Sequence, residues 1–189
     1  MFNRVKSFMG GPGVIKAHTM LVAQKKVLSL TGVQLLHEGV PLEELAHTRP
    51  ELWIPDGKAR RVVRDKVVTT AFVNFLVSSM QAAGEANWVN FKYHDSGIGT
   101  GDEAIGDTAL GTPWGGARST GTQTKGATDN IYRSVATTTY NASKAITEHG
   151  LFSASTAGVL ADRTKFAAIN VVDTNQIEYT FEMSFTPGG

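Results

Sequence analysis

Apolar and polar residues alternate most cleanly near the C-terminus. Ile177, Tyr179, Phe181, Met183 and Phe185 interleave with Glu178, Thr180, Glu182, Ser184 and Thr186, which predicts a strand with one buried and one polar face. Residues 130–142 (NIYRSVATTTYNA) are rich in β-branched and aromatic types, and 145–152 and 165–172 read as further strands. Asp173, Thr174 and Asn175 supply a hairpin turn into the last one. A different period runs from about residue 66 to 83, where Val68, Ala71, Phe72, Phe75, Leu76, Ser79, Met80 and Ala83 recur at three- and four-residue steps. That spacing predicts one amphipathic helix. Asp65 is placed to accept its first free amides, and Gly84 to take the left-handed turn at its end. The other side of the helix, with Thr69, Thr70, Asn74 and Ser78, carries no charge, as expected of a face that something covers.

No period lasts between residues 1 and 64. Short apolar runs, such as MLVAQKKVLSL (20–30) and ELWIP (51–55), sit between turn signals at Gly10-Gly11-Pro12-Gly13, Thr31-Gly32, Gly39 to Pro41 and Pro55-Asp56-Gly57. The expectation is an extended N-terminal arm with short strands over 1–64, followed by a domain over 65–189 that holds the helix and the strands. Strands at roughly ten-residue spacing, joined by small polar turns, predict a mainly β protein: an antiparallel β-sandwich or jelly-roll-like fold.

Composition narrows the chemistry. A chain of 189 residues can bury one ordinary core, and the absence of cysteine removes disulfides, thiolate zinc sites and cysteine nucleophiles together. The net charge of +1 argues against a strongly basic nucleic-acid binder. Charge is uneven, however: 11 Lys and Arg against 7 Asp and Glu up to Phe91, then 7 against 10 from Lys92 onward. Such polarity suits docking on a charged surface or a neighbouring copy. The start lacks the apolar stretch of a signal peptide, and no window approaches the roughly 18 apolar residues of a membrane span, so the expectation is a soluble protein made in a cytoplasm.

Residues 88–110, WVNFKYHDSGIGTGDEAIGDTAL, raise the question of a phosphate cradle. Gly99, Gly101 and Ala104 fit the G-x-G-x-x-A form of a dinucleotide fingerprint. The segment after it, 102–110, can give only about two helical turns. No acidic residue follows at the distance of about 20 positions that a ribose contact needs, and the strands beyond read as a meander. No Lys followed by Ser or Thr closes the glycine run as in a P-loop. The glycines are therefore expected to serve tight turns, and 102–110 a short helical cap, with no cofactor.

Other groups carry weaker signals. Asp95, Asp102, Glu103 and Asp107 lie close together but off the spacing of a calcium loop. Histidines 18, 37, 47, 94 and 149 form no paired ligand spacing. His94-Asp95-Ser96 has the residue types of a hydrolase triad, but chain neighbours point in different directions. His149 reads as a strand-end residue that hydrogen-bonds a turn. Trp88, Tyr93 and Trp114 could stack on a sugar ring, as in a carbohydrate-binding adhesin. The basic run Lys58, Arg60, Arg61, Arg64 and Lys66 could meet an acidic partner, and Arg60, Arg61, Arg64 and Lys66 are the expected interface residues.

Four segments, PELWIPDGKARRVVRDKVVTTAFVNFLV, FKYHDSGIGTGDEAIGDTAL, GTQTKGATDNIYRSVATTTYNASKAITEHGLFSAS and LADRTKFAAINVVDTNQIEYTFEMSFTPGG, taken in this order, resemble a group of tailed-bacteriophage virion structural proteins. The resemblance spans roughly residues 49–189. It implies a non-enzymatic β-sandwich accessory protein of the virion, with no functional residues to carry over. On that reading the partners are the major capsid protein or other virion proteins, and the chain forms a homo-oligomer, a trimer or a dimer. It has no membrane and no specific nucleic acid as partner. A capsid decoration (cement) protein is the leading expectation, and a neck, tail or fibre component the alternative.

Overall fold

A computed structural model describes residues 16–64, 68–81 and 90–186. The chain is mainly β, folded as two antiparallel sheets with a little helix, as a β-sandwich requires. Strand β1 (Lys16–Leu28) leads through two helices, α1 (Leu30–His37) and α2 (Leu42–Thr48), and a single 3₁₀ turn (Pro50–Leu52) to β2 (Trp53–Pro55) and β3 (Arg60–Arg64). Helix α3 (Thr70–Gln81) precedes β4 (Tyr93–Gly97), β5 (Ser119–Thr120) and β6 (Thr122–Lys125). The chain ends in four longer strands, β7 (Ile131–Thr139), β8 (Lys144–Phe152), β9 (Leu160–Val171) and β10 (Gln176–Thr186). One sheet runs β2-β1-β10-β7-β6, with β3 also paired to β1, and the other runs β5-β4-β8-β9.

The sheets face each other across one core. Leu21 and Ala23 of β1 and Ile177, Tyr179, Phe181 and Met183 of β10 meet Ile146 and Leu151 of β8 and Ala161, Phe166 and Ile169 of β9. The alternation in β10 is therefore the inner face predicted for it. Thr174, at φ +70°, turns the chain between β9 and β10, but these strands lie in different sheets, so the turn is a crossing between the sheets and not the expected hairpin. Helix α3 packs Phe72, Phe75 and Leu76 against the same core, while Val73, Asn74, Val77 and Ser78 point outward without a charge.

Three expectations change. The division at residue 64 does not follow the sheets: β1 pairs with β10 over eleven positions, from Lys16↔Thr186 to Lys26↔Gln176, so this part of the supposed arm is a central strand. Its period was hidden because Met20 and Val22, on the face opposite Thr19, Leu21 and Ala23, are also apolar and half-buried. Residues 30–37 and 42–48 are helical, not extended. With the link between them, they wrap Leu35, Leu36, Val40 and Leu42 around a separate small core of Leu28, Leu45, Leu52 and Trp53. Helix α3 starts later than predicted, because Val68 is bridged to Asp162 and Thr69 holds the cap: its Oγ1 accepts from the Phe72 amide at 3.1 Å and donates to the Leu160 carbonyl. The proposed caps Asp65 and Gly84 lie outside the described residues.

Candidate functional site

Strand β8 carries the polar centre of the molecule. A bulge near Thr147 shifts its pairing with β9. Beyond it His149 and Leu151 face the space between the sheets, and Glu148, Gly150 and Phe152 face the layer outside. The loop over residues 98–116 covers that outer face, so both sides of β8 are buried from Glu148 onward.

Between the sheets, His94 Nδ1 and His149 Nε2 are 2.9 Å apart, and His94 Nε2 lies 2.8 Å from Ser134 Oγ. Ser96, two positions after His94 on the same side of β4, joins the hydroxyls of Tyr140 and Tyr179 at 2.8 and 3.0 Å. His149 Nδ1 has no partner. A bare ring nitrogen there costs less than an orphaned N–H, so we assign the proton of His149 to Nε2, donating to His94, which in turn donates to Ser134. Burial pushes the His94 imidazole down to about 3 and His149 well below its ordinary value, and His94 adds to the effect on His149. Both rings are neutral. Burial likewise raises Tyr140, and raises Tyr179 to about 12.

His149 is thus a mid-strand core residue and not a strand-end one, a position that its acidic and glycine neighbours concealed. His94, Asp95 and Ser96 diverge as expected: the first and third point inward, while Asp95 binds Arg118 at 3.2 Å on the other face. Each inward group has no exposed surface, so no substrate reaches it.

The glycine-rich loop does cradle an anion, but the anion belongs to the protein. Glu148 Oε1 accepts from the amides of Gly99 and Thr112, both at 2.9 Å, and Oε2 accepts from the Gly111 amide at 3.1 Å and from Arg163 Nε at 2.7 Å. Burial opposes this charge, but the amides and the guanidinium outweigh it and hold the carboxyl below its usual range. Arg163 spends its other donors on the Gly101 and Asp102 carbonyls and on Asp107. A Cβ on Gly97 or Gly99 would overlap the Glu148 carboxylate. These two glycines therefore serve close approach.

The loop contains no helix. The supposed cap over 102–110 is a turn, in which the Asp107 amide donates to the Ala104 carbonyl and the Ala104 amide to Asp107 Oδ2. Nor do its acids converge: Asp95 faces Arg118, Asp102 faces Lys165 and Asp107 faces Arg163. No group of three or more His, Asp or Glu side chains that could hold a metal occurs among the described residues. Trp114 is buried edge-on against Tyr140 and offers no platform to a sugar; Trp88 lies outside the described residues.

The expected interface residues fall on β3 and its flanks. Alternation splits them: Arg61 and Val63 are exposed on one face, while Arg60 shares the other with Val62, which packs on the core. Arg64 continues β3, pairing with Thr19, and Lys66 lies outside the described residues. Arg60 lines a notch of about 220 Å³ between the β2–β3 turn and the end of β9, together with Lys25, Asp56, Gly57, Lys58 and residues 168–170. Asp56 is paired with Lys25 at 2.7 Å. Lys58, Arg60 and Arg61 have no acidic partner among the described residues.

No family model, curated protein or solved structure matches the chain.

Proposed function

We propose that the protein is a non-enzymatic structural subunit of a tailed-phage particle, a decoration protein that binds across major capsid subunits and stabilises the shell. The observation that carries this reading is the contrast between a closed polar interior and an outer surface left unneutralised. Inside, Glu148, Arg163, His94 and Ser96 are consumed by contacts within the chain. Outside, Lys58, Arg60 and Arg61 have no acidic ion-pair partner among the described residues, and α3 presents Val73 and Val77 on a side without charge. Unneutralised cations beside uncharged, partly apolar surface suit a contact with another protein. The order of motifs over residues 49–189 supports a particle as the setting.

Deleting the protein tests this reading. Particles that lack it are expected to lose DNA on heating or at low salt under conditions that intact particles survive. Equal resistance would overturn the cementing role. Copy number separates shell from neck, tail or fibre: a decoration protein scales with the capsid subunit, whereas neck and tail parts are present in far fewer copies.

A further inference from the structure

We propose that the notch between the β2–β3 turn and the end of β9 is a docking site for a carboxylate on an extended acidic segment of a protein partner; the proposal rests on the reading of the chain as a particle subunit and names the chemistry of its contact. Three cations line the notch, Lys25, Lys58 and Arg60, against one acid, Asp56, which Lys25 already neutralises at 2.7 Å. Two positive charges are left over. Arg60 Nε is shielded from solvent with no hydrogen-bond partner, and Nη1 reaches only the Lys58 carbonyl at 3.4 Å. A guanidinium with an orphaned donor gains most from a carboxylate, which takes charge-assisted bonds from its planar edge.

The walls select the source of that carboxylate. No aromatic residue lines the notch, so a nucleobase has nothing to stack on. One side is formed by residues 168–170 of the edge strand β9, where Ala168 and Asn170 are small or polar and exposed, and this leaves room for an extended chain to lie alongside. Gly57, at φ +72°, turns β2 back toward β3 and carries Lys58 to the rim. Arg61 lies on the opposite face of β3, so the site uses half of the basic run.

Nuclear magnetic resonance on the full chain tests the proposal. The probes are the hexapeptide acetyl-Asp-Glu-Asp-Glu-Asp-Glu-amide, inorganic phosphate and a single-stranded oligonucleotide. The peptide is expected to shift the Arg60 Nε–H resonance and the amides of residues 168–170 in a saturable way. Lys58→Gln with Arg60→Gln weakens this about tenfold or more, whereas Arg61→Gln leaves it within about twofold. An unchanged amide spectrum away from the notch shows that the variants are folded. A response to phosphate alone, stronger binding of the oligonucleotide, or no response to the peptide would overturn the site. The particle reading fails separately, if the wild-type chain is absent from purified particles whatever the peptide does.

Discussion

The chain treats charge in two opposite ways at Glu148 and at β3. The Glu148–Arg163 pair lies on the outward side of β8, yet Glu148 is fully buried, and every oxygen and nitrogen of the pair is met by loop backbone or by a carboxylate. On β3 and the turn before it, Lys58, Arg60 and Arg61 form no ion pair among the described residues, and the one acid beside them, Asp56, is held by Lys25. Buried ions that are fully partnered fix the path of a loop, because removing either partner leaves an uncompensated charge. Surface ions left unpartnered do little for the fold and remain for another molecule. On the proposed function, the difference gives stability to one region and contact to the other.

The sharpest break in that comparison is Glu148→Gln. It leaves Arg163 without its buried counter-ion and weakens the hold on three amides, and it is expected to cost about 3–5 kcal/mol, read from urea unfolding. A cost under about 1 kcal/mol would mean that water reaches the pair.

Acid should act chiefly on the interior. The His94 and His149 imidazoles have folded-state values below their unfolded value near 6.5, so below that pH the unfolded chain binds more protons. Stability from this pair is therefore complete above about pH 6.5; below it His94 costs about 1.4 kcal/mol per pH unit down to about pH 3, and His149 adds a loss of the same sign. Glu148, held low in the fold, adds to the loss once the pH passes below the ordinary carboxylate range. His149→Phe should reduce the slope between pH 6.5 and 5 by about half. Urea midpoints across this range check it, and a flat profile would contradict the buried neutral pair.

Gly99→Ala is smaller in effect. The added methyl must displace the Glu148 carboxylate, at about 1–3 kcal/mol, while Gly101→Ala, with open space around its Cβ, should cost under about 1 kcal/mol. Equal costs at the two positions would show that the loop does not grip the carboxylate. Smallest of all is Lys58→Glu with Arg60→Glu, expected within about 0.5 kcal/mol of wild type because neither residue has an ion-pair partner to lose.

The legible parts of the fold were those with one clean period. In β10 each odd position from 177 to 183 is apolar and buried, and the stripe Phe72, Phe75, Leu76 had a single side to bury. β1 was hidden because both of its faces are apolar, and α1 and α2 because each is only about two turns long and Gly32 interrupts the first. Gly32 is tolerated there because a side chain would collide with Leu28. The glycines of 97–112 raised a cradle in the sequence, but reading them as tight turns missed the close approach at Gly97 and Gly99. The occupant of the cradle left no sign, since Glu148 lies 36 to 49 residues away from the amides that hold it and the bulge that aims it leaves no local mark. For the same reason β3 read as one basic patch, although its pleat divides Arg60 from Arg61.

Quantitative mass spectrometry of purified particles tests the central claim most directly, comparing the wild-type chain with the folded Lys58→Glu, Arg60→Glu variant. Wild-type chain is expected in proportion to the major capsid protein, with a marked loss of occupancy in the variant at unchanged urea stability. Equal occupancy of the two would contradict the assignment of contact to the basic strand, and absence of the wild-type chain would contradict the particle itself.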